Sequence, residues 1–270
     1  SGVLGSPEWD AAKVSLSPST INPSARVMIT KGSSDGVAFQ YANLTTTQKT
    51  FIDKNAAGVV DSCGLERIAY LRGSASQEAS SGTFTCASST TINKFRVRNI
   101  SKLGDIVNSS PTFVGKPGAG YSDVDHPGYK TFKTNYADRI PMVYVGSNDG
   151  MLHGFNACIV GVTPGCTTAD AGKELLAYIP SQVYANLSRV TDKDYNTSHR
   201  YLTDGTPMVA DVYSSGTSSW RTILVGGLNG GGQGYYALNV TNPKDAAKSE
   251  PVFSEANAAS LLLWEFSNAD

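Results

Sequence analysis

Short runs of apolar, β-favouring residues separated by Gly, Asn and Asp turns dominate this chain, and in its later part they occur in the same order twice. The first series runs 110–115, 142–146, an Asn148-Asp149-Gly150 turn, 152–157 and 174–180. The second runs 206–211, 222–227, a turn at Asn229-Gly230, 235–240 and 262–266. A four-strand unit written twice predicts an all-β fold with two blades of a β-propeller, since each blade leaves a hydrophobic face that a neighbour must bury. Closure around an axis takes at least about four blades. The chain therefore reads as the N-terminal blades of a modified propeller, a segment of a longer protein.

Residues 1–104 do not repeat and read as a lead-in with the first propeller strands, while 105–270 hold the two blades. Within the lead-in, 27–30 and 37–41 flank Gly32-Ser33-Ser34-Asp35-Gly36, which predicts a hairpin with a polar turn. Thr45 as a cap, followed by Gln48, Phe51 and Ile52, predicts a short helix. Helix is otherwise scarce. The Ser-, Thr- and Gly-rich stretch 73–91 predicts a loop. A second long loop is predicted at 118–138, which makes the interval from Pro111 to Val145 longer than that from Pro207 to Val225. Long loops on a rigid scaffold are where recognition concentrates.

Composition narrows the partners. With 270 residues the chain is long enough for a sizeable core, and 27 glycines suit many tight turns. A net charge of −1, a pI near 6.3 and scattered Lys and Arg lack the basic footprint of a nucleic-acid binder. No apolar run reaches the roughly 20 residues of a membrane-spanning helix. The first residues do not read as a secretory leader. Cys63, Cys86, Cys158 and Cys166 lie in Gly/Ser/Thr-rich insertions, form no C-x-x-C and lack neighbouring His, so they predict disulfides and an oxidising compartment. Three connectivities are open. Pairing Cys63 with Cys86 and Cys158 with Cys166 is the simplest.

Candidate chemistry is sparse. Ser34 sits in a G-x-S-x-G match, but a hydrolase elbow needs a helix after the turn and here strand-like sequence follows. Gly232-Gln233-Gly234-Tyr235-Tyr236-Ala237 has relaxed dinucleotide-binding spacing yet opens a strand. Asp192, Asp194 and Asn196 alternate as calcium ligands do. Thr197 stands where the turn glycine belongs, however, and Arg200 occupies a later ligand position, so a solvated loop is the simpler reading. Asp123, Asp125 and His126 offer too few ligands for a metal. His153 reads as a strand histidine with satisfied or exposed nitrogens, and Trp264, between Leu263 and Phe266, as a core residue.

A succession of motifs is more specific than any of these. It comprises Leu103-Gly104-Asp105 through Asn108-Ser109-Ser110-Pro111, Val143-Tyr144-Val145-Gly146-Ser147-Asn148-Asp149-Gly150-Met151-Leu152-His153-Gly154-Phe155, Tyr178-Ile179-Pro180, Asp204-Gly205-Thr206-Pro207, and Gly226-Gly227 through Tyr236-Ala237-Leu238-Asn239-Val240-Thr241. Together with Trp9-Asp10-Ala11, Gln48 and Tyr70-Leu71-Arg72-Gly73 upstream, this resembles the PilY1/PilC family of type IV pilus tip-associated adhesins. The resemblance implies a propeller at the pilus tip, on the cell surface or extracellular, reached through the periplasm and outer membrane. It implies a non-catalytic role in pilus biogenesis, in the balance of assembly and retraction, in twitching and in attachment. Partners would be minor pilins or the tip complex, and a host or abiotic surface receptor. It further implies calcium in the parent protein, held by a D-x-D-x-D-x-x-x-D loop. Asp192, Asp194 and Asn196 match that loop's first three ligand positions and Arg200 replaces the fourth, so no cofactor is assigned to this chain. Two other readings are a quinoprotein-like dehydrogenase, since 144–155 also resembles strands of quinone-binding propellers, and a lectin-like propeller binding glycans through aromatic residues in the insertions.

Overall fold

Both repeated series form antiparallel meanders in the computed structural model, which describes residues 6–268. In chain order the strands are β1 (Met28–Lys31), β2 (Gly36–Ala38), β3 (Thr83–Thr85), β4 (Thr91–Asn93), β5 (Thr112–Val114), β6 (Met142–Ser147), β7 (Met151–Asn156), β8 (Glu174–Ile179), β9 (Met208–Ser214), β10 (Ser219–Gly227), β11 (Gly234–Asn239) and β12 (Leu262–Ser267). Strands β5 to β8 lie side by side, and β9 to β12 form a second sheet. The predicted lead-in hairpin, β1 with β2, closes around Ser34 and Asp35 and extends the first sheet, with β1 parallel to β8 and Ile29 opposite Tyr178.

Helices are short: α1 (Ala11–Val14), α2 (Thr46–Ile52), α3 (Gly64–Leu71), α4 (Tyr129–Asn135), α5 (Tyr184–Leu187) and α6 (Ala258–Leu261). Helix α2 starts where Thr45 predicts, in a capping box: the Thr45 hydroxyl accepts from the Gln48 amide while the Gln48 side chain accepts from the Thr45 amide. Two expected loops carry structure. Stretch 73–91 contains β3, which pairs with β4 around the buried Phe84, and Cys86 beside it is bonded to Cys63 at the start of α3. Insertion 118–138 contains α4, whose Tyr129, Phe132 and Tyr136 recur at helical spacing and pack against Trp220 of β10. The Tyr129 hydroxyl donates to Asp211 at 2.7 Å and Trp220 Nε1 to the Pro127 carbonyl at 3.0 Å, so the insertion is docked on the second sheet. Cys158 and Cys166 form the second disulfide.

The two sheets stack through one continuous core. Tyr178 of β8 meets Tyr236 of β11 with ring centroids 5.0 Å apart, among buried Ile179, Tyr184, Leu224, Leu238 and Leu262. Glu265 of β12 points into this interface, and its carboxylate accepts from the Tyr178 hydroxyl and from the Ser181 amide and hydroxyl. Strand alternation then turns Trp264 and Phe266 outward. Trp264, expected in the core, is 45% exposed because the inward position beside it belongs to Glu265.

The two Pro-containing motifs stitch the inner strands. The Asn108 side chain donates to Asp204 at 2.7 Å, Ser109 Oγ donates to the Gly205 carbonyl at 3.1 Å, and Thr112 Oγ1 donates to the Pro207 carbonyl at 2.7 Å. Gly205 is required here, since a Cβ would lie 2.2 Å from the Gly227 carbonyl oxygen.

Replacing Glu265 by Ala strands the buried Tyr178 hydroxyl and the half-buried Ser181 hydroxyl and amide, and we expect it to destabilise the chain by about 3 kcal/mol in urea unfolding, with Glu265→Gln losing less. An unchanged unfolding midpoint for Glu265→Ala would show that the sheets hold together without this carboxylate.

Candidate functional site

A cleft of about 500 Å3 opens where three segments meet: 96–105 leading into the first blade, the 147–151 turn between β6 and β7, and the crossing segment 190–199 between the blades. Asp149 of its lining belongs to a line of buried charges. Arg26 donates to Glu174 from Nε at 2.6 Å and from Nη2 at 2.9 Å. Glu174 Oε1 lies 2.7 Å from His153 Nδ1, and His153 Nε2 lies 3.1 Å from Asp149. Carboxylate oxygens only accept, so both ring nitrogens carry hydrogen and His153 is an imidazolium. Asp149 also accepts from the Gly104 amide at 2.9 Å. Gly104 is needed for that approach, because a Cβ would lie 2.6 Å from the Asp149 nitrogen. The line alternates cation, anion, cation, anion, and ties the lead-in to the first blade.

Burial alone would push the His153 imidazolium down. Asp149 and Glu174 outweigh it and hold the pKa at about 9. Glu174 is held at about 2: burial raises it, but the Arg26 charge and the bonds from His153 and Arg26 lower it further. Asp149 is likewise lowered against its burial by His153. With both nitrogens committed, His153 is a satisfied strand histidine, as its sequence context predicts, and is not free to act as a base.

One wall is cationic. Glu78 accepts from Arg98 Nε at 2.8 Å and Nη2 at 2.6 Å, and from Lys102 Nζ at 2.8 and 2.9 Å. Arg96 lies over the Tyr195 ring, 4.4 Å from its centroid. His199 packs edge-on against Tyr195 and faces Asp105 Oδ2 at 2.9 Å, and Asp105 also accepts from Asn148 Nδ2 at 2.7 Å. Sequence reasoning singles out none of Glu78, Arg96, Arg98 and Lys102. The one available signal is the density of cations from Lys94 to Lys102 in a chain whose basic residues are otherwise scattered.

The residues singled out by sequence are dispersed. Asp192 and Asp194 line a second cleft of about 450 Å3 beside Asp61 and Arg67, whereas Asn196 lines the first, with buried Tyr195 between them. Asp192 Oδ1 caps its own turn, accepting from the Asp194 amide at 2.9 Å. Asp123 accepts from the Lys130 amide at the start of α4, and the His126 ring packs at a tilt against Tyr121. Among the described residues the one convergence of three His, Cys, Asp or Glu ligands is Cys63, Glu66 and Cys86, whose sulfurs are bonded to each other.

The buried line gives a defined pH profile. His153 is raised above its ordinary 6.5, so its contribution is complete below about that pH and is lost as pH rises through about 9. Glu174 is depressed below its ordinary 4.5, so its contribution is present above that pH and is lost as pH falls through about 2. Stability from this cluster is therefore greatest between about 4.5 and 6.5. Replacing His153 by Gln leaves two buried carboxylates facing one arginine, and we expect a loss of about 3–5 kcal/mol together with a flattened alkaline limb. Wild-type stability that is level from pH 6 to 10 in denaturant titrations would refute the imidazolium.

Comparison with known proteins places this geometry in a family. The PilY1 beta-propeller domain family matches residues 103–266, both meanders and the turn that carries Asp149. The type IV pilus biogenesis factor PilY1 of Pseudomonas aeruginosa strain PAK is 38% identical over 80% of this chain and 17% of its own length. A PilY1 homolog of Xylella fastidiosa is 36% identical over 86% of this chain and 16% of its length, and PilY1 of P. aeruginosa UCBPP-PA14 is 32% identical over 97% and 20%. The chain thus spans a fifth or less of the relatives it matches. The crystal structure of the P. aeruginosa PilY1 C-terminal domain is 34% identical over 57% of this chain and 25% of that one, with a TM-score of 0.36. This chain belongs to the PilY1 β-propeller family.

Proposed function

We propose that this chain is a non-catalytic part of the propeller of a type IV pilus biogenesis factor, and that it serves pilus assembly, its balance with retraction, and surface attachment. The observation that carries the reading is the family match over 103–266, together with relatives that bear the name type IV pilus biogenesis factor. The partners are minor pilins or the pilus tip complex, and a host or abiotic surface. The location is the pilus tip or cell surface. Two disulfides agree with passage through an oxidising compartment. Among the described residues no helix is long and apolar enough to cross a membrane.

The outer face of the second sheet supports the view that these are blades of a larger propeller. Met208, Tyr235, Trp264 and Phe266 are exposed there, and Tyr235 and Phe266 are register partners. An apolar sheet face of this kind is what a further blade covers.

One observation favours glycan binding as a second reading. Tyr121 and Tyr213, both exposed, flank Trp220 with ring centroids 5.5 and 5.6 Å from it, a shelf on which a sugar face can stack.

Removing the 103–266 coding region in the parent organism should abolish or sharply reduce surface pili, twitching and attachment. Normal piliation and motility would end the biogenesis reading. Doubly replacing Tyr121 and Tyr213 by Ala should lower attachment to glycan-coated surfaces at least several-fold while piliation persists; equal attachment would dismiss the glycan shelf.

A further inference from the structure

The ion pairs of the 500 Å3 cleft leave its cationic wall short of negative charge. Glu78 is the one carboxylate serving both Arg98 and Lys102, so that network carries a positive charge in excess. Arg96, on the same wall, forms no ion pair among the described residues; its Nε donates to the Val190 carbonyl at 3.2 Å and its guanidinium rests on Tyr195. The carboxylates of the cleft are engaged elsewhere. Asp149 is held by His153 and the Gly104 amide, and Asp105 by His199 and Asn148. Burial, and then the Arg98 charge beside it, lower the Lys102 pKa although Glu78 accepts from the ammonium.

We propose that this cleft binds a carboxylate presented by a polypeptide, with Arg96 as its planar partner and the Arg98–Lys102 pair supplying the surrounding positive field. A guanidinium meets a carboxylate through two parallel N–H donors, a geometry an ammonium lacks. Asp105 at the rim repels a dianion more than a monoanion, which disfavours phosphate. Leu71, Met151 and Val190 add apolar wall for the stem that carries the carboxylate. The volume suits a side chain or a chain end with its neighbouring residues. This inference goes beyond the pilus reading and does not rest on it.

The test is an NMR titration of the full chain, following the amide resonances of Tyr195, Asn196 and His199. Four probes separate the chemistries: acetyl-Ala-Glu-Ala-amide for a side-chain carboxylate, acetyl-Ala-Ala-Ala with a free C-terminus for a chain end, acetyl-Ala-Gln-Ala-amide as the neutral control, and inorganic phosphate. We expect saturable shifts from at least one carboxylate peptide and none from the Gln control, and the stronger of the two peptides identifies the source. Arg96→Gln should weaken binding by about tenfold, the loss of a charge-assisted bidentate contact. Because Arg96 also packs on Tyr195, Arg96→Lys provides a variant that keeps the charge and the stem; it should retain the wild-type melting temperature and bind more weakly than wild type. The proposal is overturned if neither carboxylate peptide gives a saturable shift, if phosphate alone saturates, or if both variants bind as wild type. The assay contains no pili, so its failure leaves the biogenesis reading standing, and normal piliation in the deletion strain leaves carboxylate binding standing.

Discussion

Everything in this chain hangs on the stacking of one four-strand meander on the next. An antiparallel sheet needs a partner to bury a face, and Tyr178 of the first blade meets Tyr236 of the second, with Leu152, Leu224 and Leu238 in the same buried core. Apolar contact alone does not set the register of such a stack, because hydrophobic burial is non-directional. Glu265 supplies direction. Its carboxylate is buried in the stack and is satisfied only when Tyr178 and Ser181 of the other blade stand opposite, so a slipped stacking strands a charge. On the inner edge, the bonds of Asn108, Ser109 and Thr112 to 204–207 impose the same alignment.

The lead-in is fastened by a different device. Residues 6–104 contribute few long strands, and beside the pairing of β1 with β8 their hold on the blades runs through arginines: Arg26 to Glu174 and Arg72 to Glu255 at 2.7 Å. Buried pairs of this kind add little net stability over well-packed apolar residues but are costly to break singly. Their role here is to specify which surfaces meet. Arg72 illustrates this, since the same guanidinium also donates to the carbonyls of Pro23, Arg26 and Phe39 and so collects three parts of the lead-in around one carboxylate from the second blade.

The strands of both meanders were legible because period and turn chemistry are local properties: 142–146 and 222–227 fall within β6 and β10, and the Thr45 cap marks α2. What was missed depends on contacts distant in sequence. The periodicity of Tyr129, Phe132 and Tyr136 is present in the chain, but it sits in a Gly- and Asp-rich surrounding that reads as loop until Trp220 supplies the surface it packs on. Trp264 was misplaced because a large aromatic between apolar neighbours is assigned to the core by composition, whereas strand parity, set by the partners of Glu265, decides which way it points. The disulfides were readable as local pairs. Glu78 was not readable at all, since its partners Arg98 and Lys102 reach it through a chain reversal with no repeat to announce it.

The contrast between scaffold and cleft follows from the same physics. Within the meanders the backbone is answered mainly by neighbouring strands, so side chains are free to serve packing, and the alternation is regular enough to repeat. Where the lead-in, the 147–151 turn and the crossing segment converge, backbone groups are also answered by side chains: Ser147 Oγ for the Asp105 carbonyl at 3.4 Å, Asp149 for the Gly104 amide, Asn148 Oδ1 for the Leu202 amide at 3.1 Å. Polar residues are thereby concentrated at a junction that cannot repeat, because one of its three walls belongs to the lead-in. A second blade of the same sequence pattern has no counterpart to that wall. Recognition in this chain is thus expected at the junction, since there the fold brings a cation without an ion partner, an aromatic surface and an open volume together.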